Sequence, residues 1–315
     1  MTISEKIPQY DANHYAVVDL GSNSFHLLII SLQDNQLIQV NKVKRKVRLA
    51  AGLNNALELS SDAINSGLEC LSLFAKHLAT IPITNIRIVA TATLRIATNS
   101  NEFINKANNI LPLKIILLSG IQEAETIYKG AAYTDKGQLD KKRLIIDIGG
   151  ASTELIIGQG FISSKTISLN LGCVSFRERF FSNGRLTEQN FTTATNAASD
   201  IIKPISADFI QLGWQSVAGN SGTIQALAEI LSYRQQKISI TADFLQEIKK
   251  ELIKCKSIDN IIIDGLRTDR TAVLASGVCI LTALFNCLHF KELKLSTGAL
   301  REGLLFELLP SSKSN

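Results

Sequence analysis

The first half of the chain alternates apolar runs with polar turns. The runs AVVDLG (16–21), FHLLIISL (25–32) and LIQVNKVKRKVRL (37–49) are separated by short turns, which predicts an antiparallel meander of three strands. Ser60 and Ser61 then open a helical pattern whose apolar face carries Ile64, Leu68, Leu71 and Leu78. The spacing of apolar residues further along the chain predicts a strand at 86–91, a helix at 101–109, a strand at 113–118 and a helix at 124–132. Strands that alternate with helices favour parallel pairing through right-handed crossovers.

The pattern restarts after the polar stretch 134–142, which is the best linker in the chain. VVDLGSNSFHLLII and LIIDIGGASTELIIG both combine a strand, an Asp-x-Gly turn and a strand, and their aspartates, Asp19 and Asp147, lie 128 positions apart. This repetition predicts an internal duplication of a β-β-β-α-β-α unit. We expect a first domain at 1–136 and a second at 137–315, with the last helix packing back on the first domain as an option.

Composition narrows the class of protein. Of 315 residues, 45% are hydrophobic and 19% are charged, which excludes a disordered chain. The net charge of +5 permits anionic partners without requiring nucleic acid. The five cysteines form no CxxC pair and the N-terminus has no apolar signal region, so we expect a reducing cytoplasmic compartment. Residues 271–290 carry no formal charge and could span a bilayer, but interspersed polar residues favour a buried core helix and no membrane association.

Three small-residue loops could bind phosphate. In DLGSNS (19–24) and DIGGAS (147–152), small residues let backbone amides approach an anion, and the hydroxyls of Ser22, Ser24 and Ser152 add donors. Either motif alone could be an ordinary β-turn, but their repetition favours function. The loop AGNSGT (218–223) lies between a predicted strand and a helix, which is a common phosphate site. The three loops together could surround one polyphosphate.

Several charged residues accompany these loops. Asp147 and Glu154 could face one cleft and hold a hard cation, although Glu154 could equally lie on a solvated strand edge. Glu123 lies in a first helical turn, where the helix dipole alone favours a carboxylate. The run KVKRKVR (42–48) suits a polyanion groove or a solvated edge. Arg95 and Arg270 adjoin apolar segments, where each needs an anionic partner. The four histidines form no metal-type cluster and are interpreted as structural.

Seven blocks together resemble the Ppx/GppA phosphatases, which are exopolyphosphatases and guanosine pentaphosphatases. The blocks are AVVDLGSNSFHLLI, VATATLR, SGIQEA, IIDIGGASTELIIG, LGCVSF, GNSGT and STGALREG, and the resemblance extends in order from Tyr15 to Leu309. It implies an α/β fold of two duplicated actin/hexokinase/Hsp70-like (ribonuclease H-like) domains with a cleft between them.

The resemblance also implies roles for individual residues. Glu123 matches the catalytic glutamate that orients and deprotonates the attacking water, and Asp147 and Glu154 match acids associated with Mg²⁺. The phosphate-binding positions are Gly21, Ser22, Asn23, Arg95, Gly149, Gly150, Ser152, Ser221, Gly222 and Thr223. The nucleotide- or polyanion-binding positions are Lys44, Arg45 and Arg270.

The sequence departs from the family pattern at a few positions. Gln122 stands where many members have another acid, Glu125 where many have Arg, and Ala151 replaces the third glycine of the exopolyphosphatase form. The segments DIGGASTEL, KRKVRLAAGL and VATATLR are more similar to the guanosine pentaphosphatase branch than to the exopolyphosphatase branch. Longer members of that branch add a C-terminal helical region beyond the blocks matched here.

The implied reaction removes the terminal 5′-phosphate of guanosine pentaphosphate, giving the tetraphosphate and phosphate. Trimming of inorganic polyphosphate is the main alternative, and one enzyme could do both. A sugar-kinase-like phosphotransferase and a non-catalytic alarmone- or polyphosphate-sensing module are further alternatives. The implied partners are guanosine pentaphosphate or polyphosphate, without nucleic acid or membrane, and a homodimer is an option.

Overall fold

The computed structural model describes residues 9–34 and 36–309, and the chain divides into two compact units. Unit 1 contains Met1–Ser119 and Gly303–Asn315, and unit 2 contains Gly120–Glu302. The chain therefore enters and leaves unit 2 once, at 119/120 and at 302/303.

Unit 1 is a five-stranded sheet with helices. Its strands are β1 (His14–Leu20), β2 (Phe25–Gln33), β3 (Gln36–Arg45), β4 (Ile86–Ala90) and β5 (Ile116–Leu117), in the order β3-β2-β1-β4-β5. β1, β2 and β3 form the predicted antiparallel meander, and β4 and β5 add in parallel. The helices assigned to this part of the chain are α1 (Ser61–Leu78), α2 (Ala92–Ile96) and α3 (Ser100–Asn108).

The core of unit 1 lies on the face of the sheet that carries Phe25, Leu27 and Ile29. The side chain of Ser60 caps α1 by accepting a hydrogen bond from the amide of Ala63 at 3.3 Å, as the sequence pattern predicts. α1 buries its own apolar face, and this burial, rather than helix propensity, supplies most of the stability of the helix.

One strand ends earlier than the sequence predicts. The apolar and basic run continues to Leu49, but β3 ends at Arg45, and residues 49–52 form a 3₁₀ turn. Arg48 adopts a left-handed conformation with φ of 56°, which turns the chain away from the sheet. The prediction of a strand to residue 49 is therefore wrong.

Unit 2 repeats the sheet with more helices. Its strands are β6 (Arg143–Ile148), β7 (Thr153–Gln159), β8 (Ile162–Leu169), β9 (Ser216–Gly219) and β10 (Lys294–Leu295). The order is β10-β9-β6-β7-β8, which read in reverse matches unit 1 strand by strand. The helices are α4 (Gly120–Thr134), α5 (Cys173–Phe180), α6 (Glu188–Leu212), α7 (Gly222–Tyr233), α8 (Ala242–Cys255) and α9 (Thr271–Leu288), and α10 (Leu300–Leu308) begins in unit 2. The predicted duplication of the sheet is confirmed.

The division between the units precedes α4, whereas the sequence analysis placed the boundary at 136/137. The reason is tertiary: α4 packs against β6, β7 and β8 of unit 2. The polar stretch 134–142 is thus a connection inside unit 2 rather than a linker between units.

The uncharged run near the C-terminus forms α9, which lies in the interior of unit 2. By length and composition, residues 268–288 could cross a membrane, but 78% of their most apolar window is buried within the protein. α9 packs against α5, α6, α7 and α8. The prediction of a buried core helix is confirmed.

Candidate functional site

The two Asp-x-Gly turns occupy equivalent places in the two sheets. DLGSNS joins β1 to β2, and DIGGAS joins β6 to β7. In the second turn the amide of Gly149 donates to the carbonyl of Ser152 at 2.8 Å. A Cβ at position 149 would lie 3.1 Å from that carbonyl oxygen, and one at Gly21 would lie 2.9 Å from the carbonyl oxygen of Ser24. Both turns therefore need glycine because the chain folds back on itself closely.

In each turn a neighbouring segment holds the backbone carbonyls. The amides of Cys173 and Val174, at the start of α5, donate to the carbonyls of Gly149 and Gly150 at 2.9 Å. In unit 1 the amides of Arg48 and Ala50 donate to the carbonyls of Asn23 and Ser22 at the same distance. With the carbonyls turned away, the amide side of each loop is the side that can receive an anion.

Gly172 brings α5 close enough to do this. A Cβ at position 172 would lie 2.3 Å from backbone atoms of Gly150 and Ala151. Among the described residues, the backbone amides at positions 150–152 donate to no other backbone group. The block LGCVSF (171–176) therefore holds the DIGGAS loop on its carbonyl side and leaves its amides available.

Asp147, Glu154 and Ser168 form a row across three strands of unit 2. Asp147 pairs with Glu154 between β6 and β7, and Glu154 pairs with Ser168 between β7 and β8. Glu154 is only 1% exposed, and its Oε1 accepts hydrogen bonds from Ser152 and Ser168, each at 2.7 Å. Glu154 is therefore a buried, oriented carboxylate, and the alternative of a solvated strand edge does not apply.

The donors in this row suit a magnesium ion. Within residues 9–34 and 36–309 there is no group of three or more His, Cys, Asp or Glu that could hold a metal. Mg²⁺ does not need such a cage, because it commonly binds one or two carboxylates, several waters and substrate phosphates. Asp147, Glu154 and the neighbouring serine hydroxyls fit that set of oxygen ligands.

The equivalent row in unit 1 carries different charges. Asp19 pairs with His26 between β1 and β2, and His26 pairs with Lys44 between β2 and β3. His26 is thus the positional counterpart of Glu154, which the sequence analysis did not recognise. Arg45 pairs with Phe25 on the opposite face, where its charge acts on Cys70 of α1. The structure therefore separates Arg45 from Lys44, because neighbouring strand residues point to opposite faces.

The third glycine-rich loop begins α7. The side chain of Ser221 caps this helix by accepting from the amide of Ile224 at 3.1 Å. A Cβ at Gly222 would come within 2.1 Å of Nη1 of Arg270, so the guanidinium lies directly on this glycine. A helix N-terminus beside an arginine is an electropositive place for a phosphate.

Thr223 has a different role from its two neighbours. A Cβ at Gly277 of α9 would lie 2.2 Å from Oγ1 of Thr223, so this side chain packs on the core helix. α9 also holds the start of α5, because the hydroxyl of Ser276 donates to the carbonyl of Cys173 at 2.6 Å. The buried helix α9 therefore positions Thr223 and the start of α5, which adjoin two of the phosphate loops. It also positions Arg270, which directly precedes it.

Cys173 lies beneath these groups. It is buried, the charges of Arg270 and Asp147 both act on it, and burial raises the pKa of its thiol to about 11. A thiol held protonated at neutral pH is not a nucleophile.

Glu123 lies in the first turn of α4 and is 7% exposed. Two later residues contact Arg143 at the start of β6. Tyr128 lies further along α4, and Asp135 comes just after the helix ends. α4 packs against β6, β7 and β8, so Glu123 belongs to a helix that covers the sheet of unit 2.

Arg95 of unit 1 follows β4. Its Nη1 donates to the carbonyl of Leu118 at 2.9 Å, which fixes the guanidinium at the carboxyl end of the sheet. The buried hydroxyls of Ser24 and Thr93 lie after β1 and β4, which pair through Leu20 and Ala90, and neither has a hydrogen-bond partner in the described part of the chain. Thr93 was missed by the sequence analysis, although the hydroxyls of TATLR were a signal.

The structure therefore gathers the predicted residues in two sets. In unit 2, the DIGGAS loop, the Asp147 row and the Arg270–Gly222 contact share the carboxyl end of the sheet, and Glu123 begins α4, which packs on the same sheet. In unit 1, the DLGSNS loop and Arg95 lie at the carboxyl end of that unit's sheet. The supporting residues Gly172, Ser168 and Ser276 were not predicted, because their roles depend on contacts between elements distant in sequence.

Comparison with known proteins gives consistent matches. The profile of the Ppx/GppA phosphatase family matches residues 28–312. A guanosine-5′-triphosphate,3′-diphosphate pyrophosphatase from Vibrio cholerae is 48% identical over 295 residues, which are 94% of this chain and 59% of that protein. The protein of the same name from Pseudoalteromonas atlantica is 44% identical, over 100% of this chain and 62% of its own length. The chain thus spans about 60% of the length of these curated relatives.

Solved structures share the fold. An exopolyphosphatase from Cytophaga hutchinsonii superimposes with a TM-score of 0.83 at 22% identity, covering 94% of this chain and 97% of that one. The Aquifex aeolicus member of the Ppx/GppA family gives a TM-score of 0.73 at 23% identity, covering 96% and 99%. The predicted fold class is therefore confirmed.

Proposed function

The chain belongs to the Ppx/GppA phosphatase family, and from that premise we propose that it hydrolyses phosphoanhydrides, transferring the terminal 5′-phosphate of guanosine pentaphosphate to water with the tetraphosphate as the leaving group. The relatives with 44–48% identity carry the name of that activity. Because the chain spans only part of their length, the activity is our proposal for this chain.

The observation that carries the proposal is the buried row in unit 2. Asp147 and Glu154 face one another across β6 and β7, beside a loop whose amides at positions 150–152 donate to no backbone group among the described residues. Glu154 keeps a fixed orientation because two serine hydroxyls donate to it. Paired carboxylates next to a phosphate loop support a metal-dependent phosphoryl site rather than a simple anion-binding turn.

Mg²⁺ is the metal we propose, held by Asp147 and Glu154. When bound, the ion neutralises charge on the phosphate oxygens. The amides of the DIGGAS loop and of the α7 N-terminus bind phosphoryl oxygens, and the guanidinium of Arg270 adds a charged donor beside Gly222. In unit 1, Arg95, the DLGSNS loop and Lys44 are proposed to bind phosphate.

Glu123 is proposed to orient and deprotonate the attacking water. It lies in a first helical turn, is largely buried and belongs to α4, which packs on the sheet that carries Asp147 and Glu154. Phosphoryl transfer depends mainly on positioning and on charge stabilisation, so this site needs no cysteine or histidine nucleophile.

Trimming of inorganic polyphosphate is the second candidate. Lys42 and Lys44, which lie on the same face of β3, favour it because a longer polyanion can contact charges outside the reacting phosphate. The two substrates share the phosphoryl chemistry and differ in the nucleoside.

The five cysteines are all free, which supports the proposed location in a reducing cytoplasm. We keep the homodimer as an option for the partner, and guanosine pentaphosphate or polyphosphate as the substrate.

The test is phosphate release with Mg²⁺ from guanosine pentaphosphate and from long-chain polyphosphate, for the wild type and for Glu123→Gln. We expect the variant to lose at least about a hundredfold in kcat while substrate still binds. Glu102→Gln is the matched control, because Glu102 is an exposed carboxylate paired with Lys106 on the surface of α3. A Glu123→Gln enzyme that keeps most of its kcat would refute the role, and a wild type inactive on both substrates would refute the function.

A further inference from the structure

A buried arginine outside the proposed site lacks acceptors. Arg143 is the first residue of β6 and is 2% exposed. Its Nη1 lies 3.5 Å from Oδ2 of Asp135, whose side chain is 49% exposed. Its Nε and Nη2 are buried and have no hydrogen-bond partner among the described residues. Leaving the three N–H groups of these two nitrogens unpaired in a buried cation costs free energy that native proteins avoid.

Tyr128 of α4 adjoins the same guanidinium. The Cζ of Arg143 lies 5.9 Å from the centre of the tyrosine ring, and the buried Tyr128 hydroxyl is also without a partner in the described part of the chain. Burial raises the pKa of Tyr128, with the Arg143 charge offsetting part of the rise. The hydroxyl is therefore protonated at neutral pH and is a donor.

The two side chains together are a cluster with too many donors. Arginine has five N–H donors and no acceptor, whereas the tyrosine hydroxyl adds one donor and one acceptor oxygen, so donors still outnumber acceptors. Asp135 is the acceptor in contact, and it reaches one nitrogen at the long distance of 3.5 Å. An additional acceptor would satisfy this Arg143–Tyr128 cluster.

Gly158 of β7 shapes the space around the tyrosine. It pairs with Ser163 next to a register shift in β7 and β8, and with Arg143 across β6. A Cβ at position 158 would lie 2.7 Å from the Tyr128 hydroxyl and 2.5 Å from its Cζ. Because Gly158 has no side chain, the hydroxyl of Tyr128 can lie directly against β7, beside Arg143.

We propose that this cluster binds a small monovalent anion of the halide class, with chloride as the natural ligand, between Nε and Nη2 of Arg143 and the hydroxyl of Tyr128. A halide accepts from several donors at once and needs no donor in return, and its charge compensates a buried guanidinium. A water molecule could accept from only two of these donors and would bring two donors of its own.

The anion would tie together two elements of the proposed site. Tyr128 lies on α4, which carries Glu123, and Arg143 lies on β6, which carries Asp147. An ion bound to both would stabilise the packing of that helix on that strand. This inference does not depend on the substrate or on the reaction.

The experiment measures Tm in sodium chloride and in sodium gluconate at one ionic strength. For the wild type we expect chloride at 0.2 M to raise Tm by about 3 °C or more, as expected for a ligand that binds only the native state. Arg143→Met should abolish the difference. Lys142→Met is the matched control, because it removes a neighbouring cation that donates to the carbonyl of Leu212 instead, and it should keep the difference.

A second variant covers the case in which Arg143→Met does not fold. Tyr128→Phe keeps the guanidinium and removes one donor, so it should shrink the chloride effect. Crystals soaked in bromide should show an anomalous peak beside Arg143 and Tyr128. Equal Tm values in the two salts, an undiminished effect in Arg143→Met or Tyr128→Phe, or a site that holds water in the presence of bromide would each overturn the proposal.

Discussion

Gly222 and Arg270 provide a sharp test of the site in unit 2. The substitution Gly222→Ala adds a single methyl group at the first position of α7. That methyl would lie 2.1 Å from Nη1 of Arg270, 2.8 Å from its Cζ and 3.3 Å from its Nη2. Cβ atoms essentially never come closer than 3.0 Å to such neighbours, so the guanidinium has to move.

The size of the movement follows from these distances. Ordinary van der Waals contact begins at 3.4 Å, so Nη1 must retreat by about 1.3 Å. Arg270 is the flexible end of a long side chain, so this retreat costs little folding energy. Alanine is favoured over glycine in helices by about 0.5–1 kcal/mol, which offsets part of that cost. Stability should therefore stay nearly constant while the charge that faces the phosphate is displaced.

We expect kcat/KM for guanosine pentaphosphate to fall by about 10- to 100-fold, because misplacing a catalytic group by 1 Å can cost about a hundredfold. Tm should change by less than about 2 °C. The assay is steady-state phosphate release together with thermal unfolding. Gly137→Ala is the control, because a Cβ at position 137 meets nothing within 4 Å.

The combined variant tests the cause. If Gly222→Ala acts by displacing the guanidinium, it should have no further effect in an Arg270→Ala background, since the two changes remove the same interaction. Additive losses, or full activity of Gly222→Ala alone, would refute this reasoning.

Two further predictions concern stability. Gly172→Ala places a Cβ 2.3 Å from backbone atoms of the DIGGAS loop, which cannot rotate away, so we expect a loss of about 1–3 kcal/mol in unfolding free energy and a lower kcat; unchanged urea unfolding would contradict it. Burial raises the pKa of Cys70 and Cys279 from 9.0 to about 12 and that of Cys173 to about 11. Below pH 9 these thiols are neutral in both states, whereas above it only the unfolded thiols ionise. Each thiol should then lower the unfolding free energy by about 1.4 kcal/mol per pH unit up to its folded pKa, and equal unfolding free energies at pH 8 and pH 10.5 would argue against it.

Much of the fold could be predicted from periodicity. The meander of unit 1 and the strands β6 to β9 of unit 2 were recognisable because each apolar run ends in a turn motif, and the repetition of Asp-x-Gly revealed the duplication, whereas the two-residue strand β10 was not predicted. The helices α5, α6 and α8 were not assigned. The boundary of unit 2 was expected after α4, because the polar stretch 134–142 is a stronger local signal than the packing of that helix on the sheet.

The site was predictable to the level of motifs but not of partners. Asp147 and Glu154 stand seven residues apart in a hairpin, so their pairing follows from the register of a two-strand turn. The two serines that orient Glu154 illustrate the difference. Ser152 lies in the same motif, whereas Ser168 comes from the next strand and becomes a partner only when β8 pairs with β7.

The sequence by itself determined most of the strands, which turns admit an approaching anion, and which residue types can hold a cation. These properties are local, because they depend on side-chain period and on the small size of glycine and serine. The tertiary structure alone decided that Arg270 lies on Gly222 and that Ser276 holds the start of α5. Such contacts join residues tens of positions apart, and their geometry is set by how buried helices pack on a sheet rather than by any local preference.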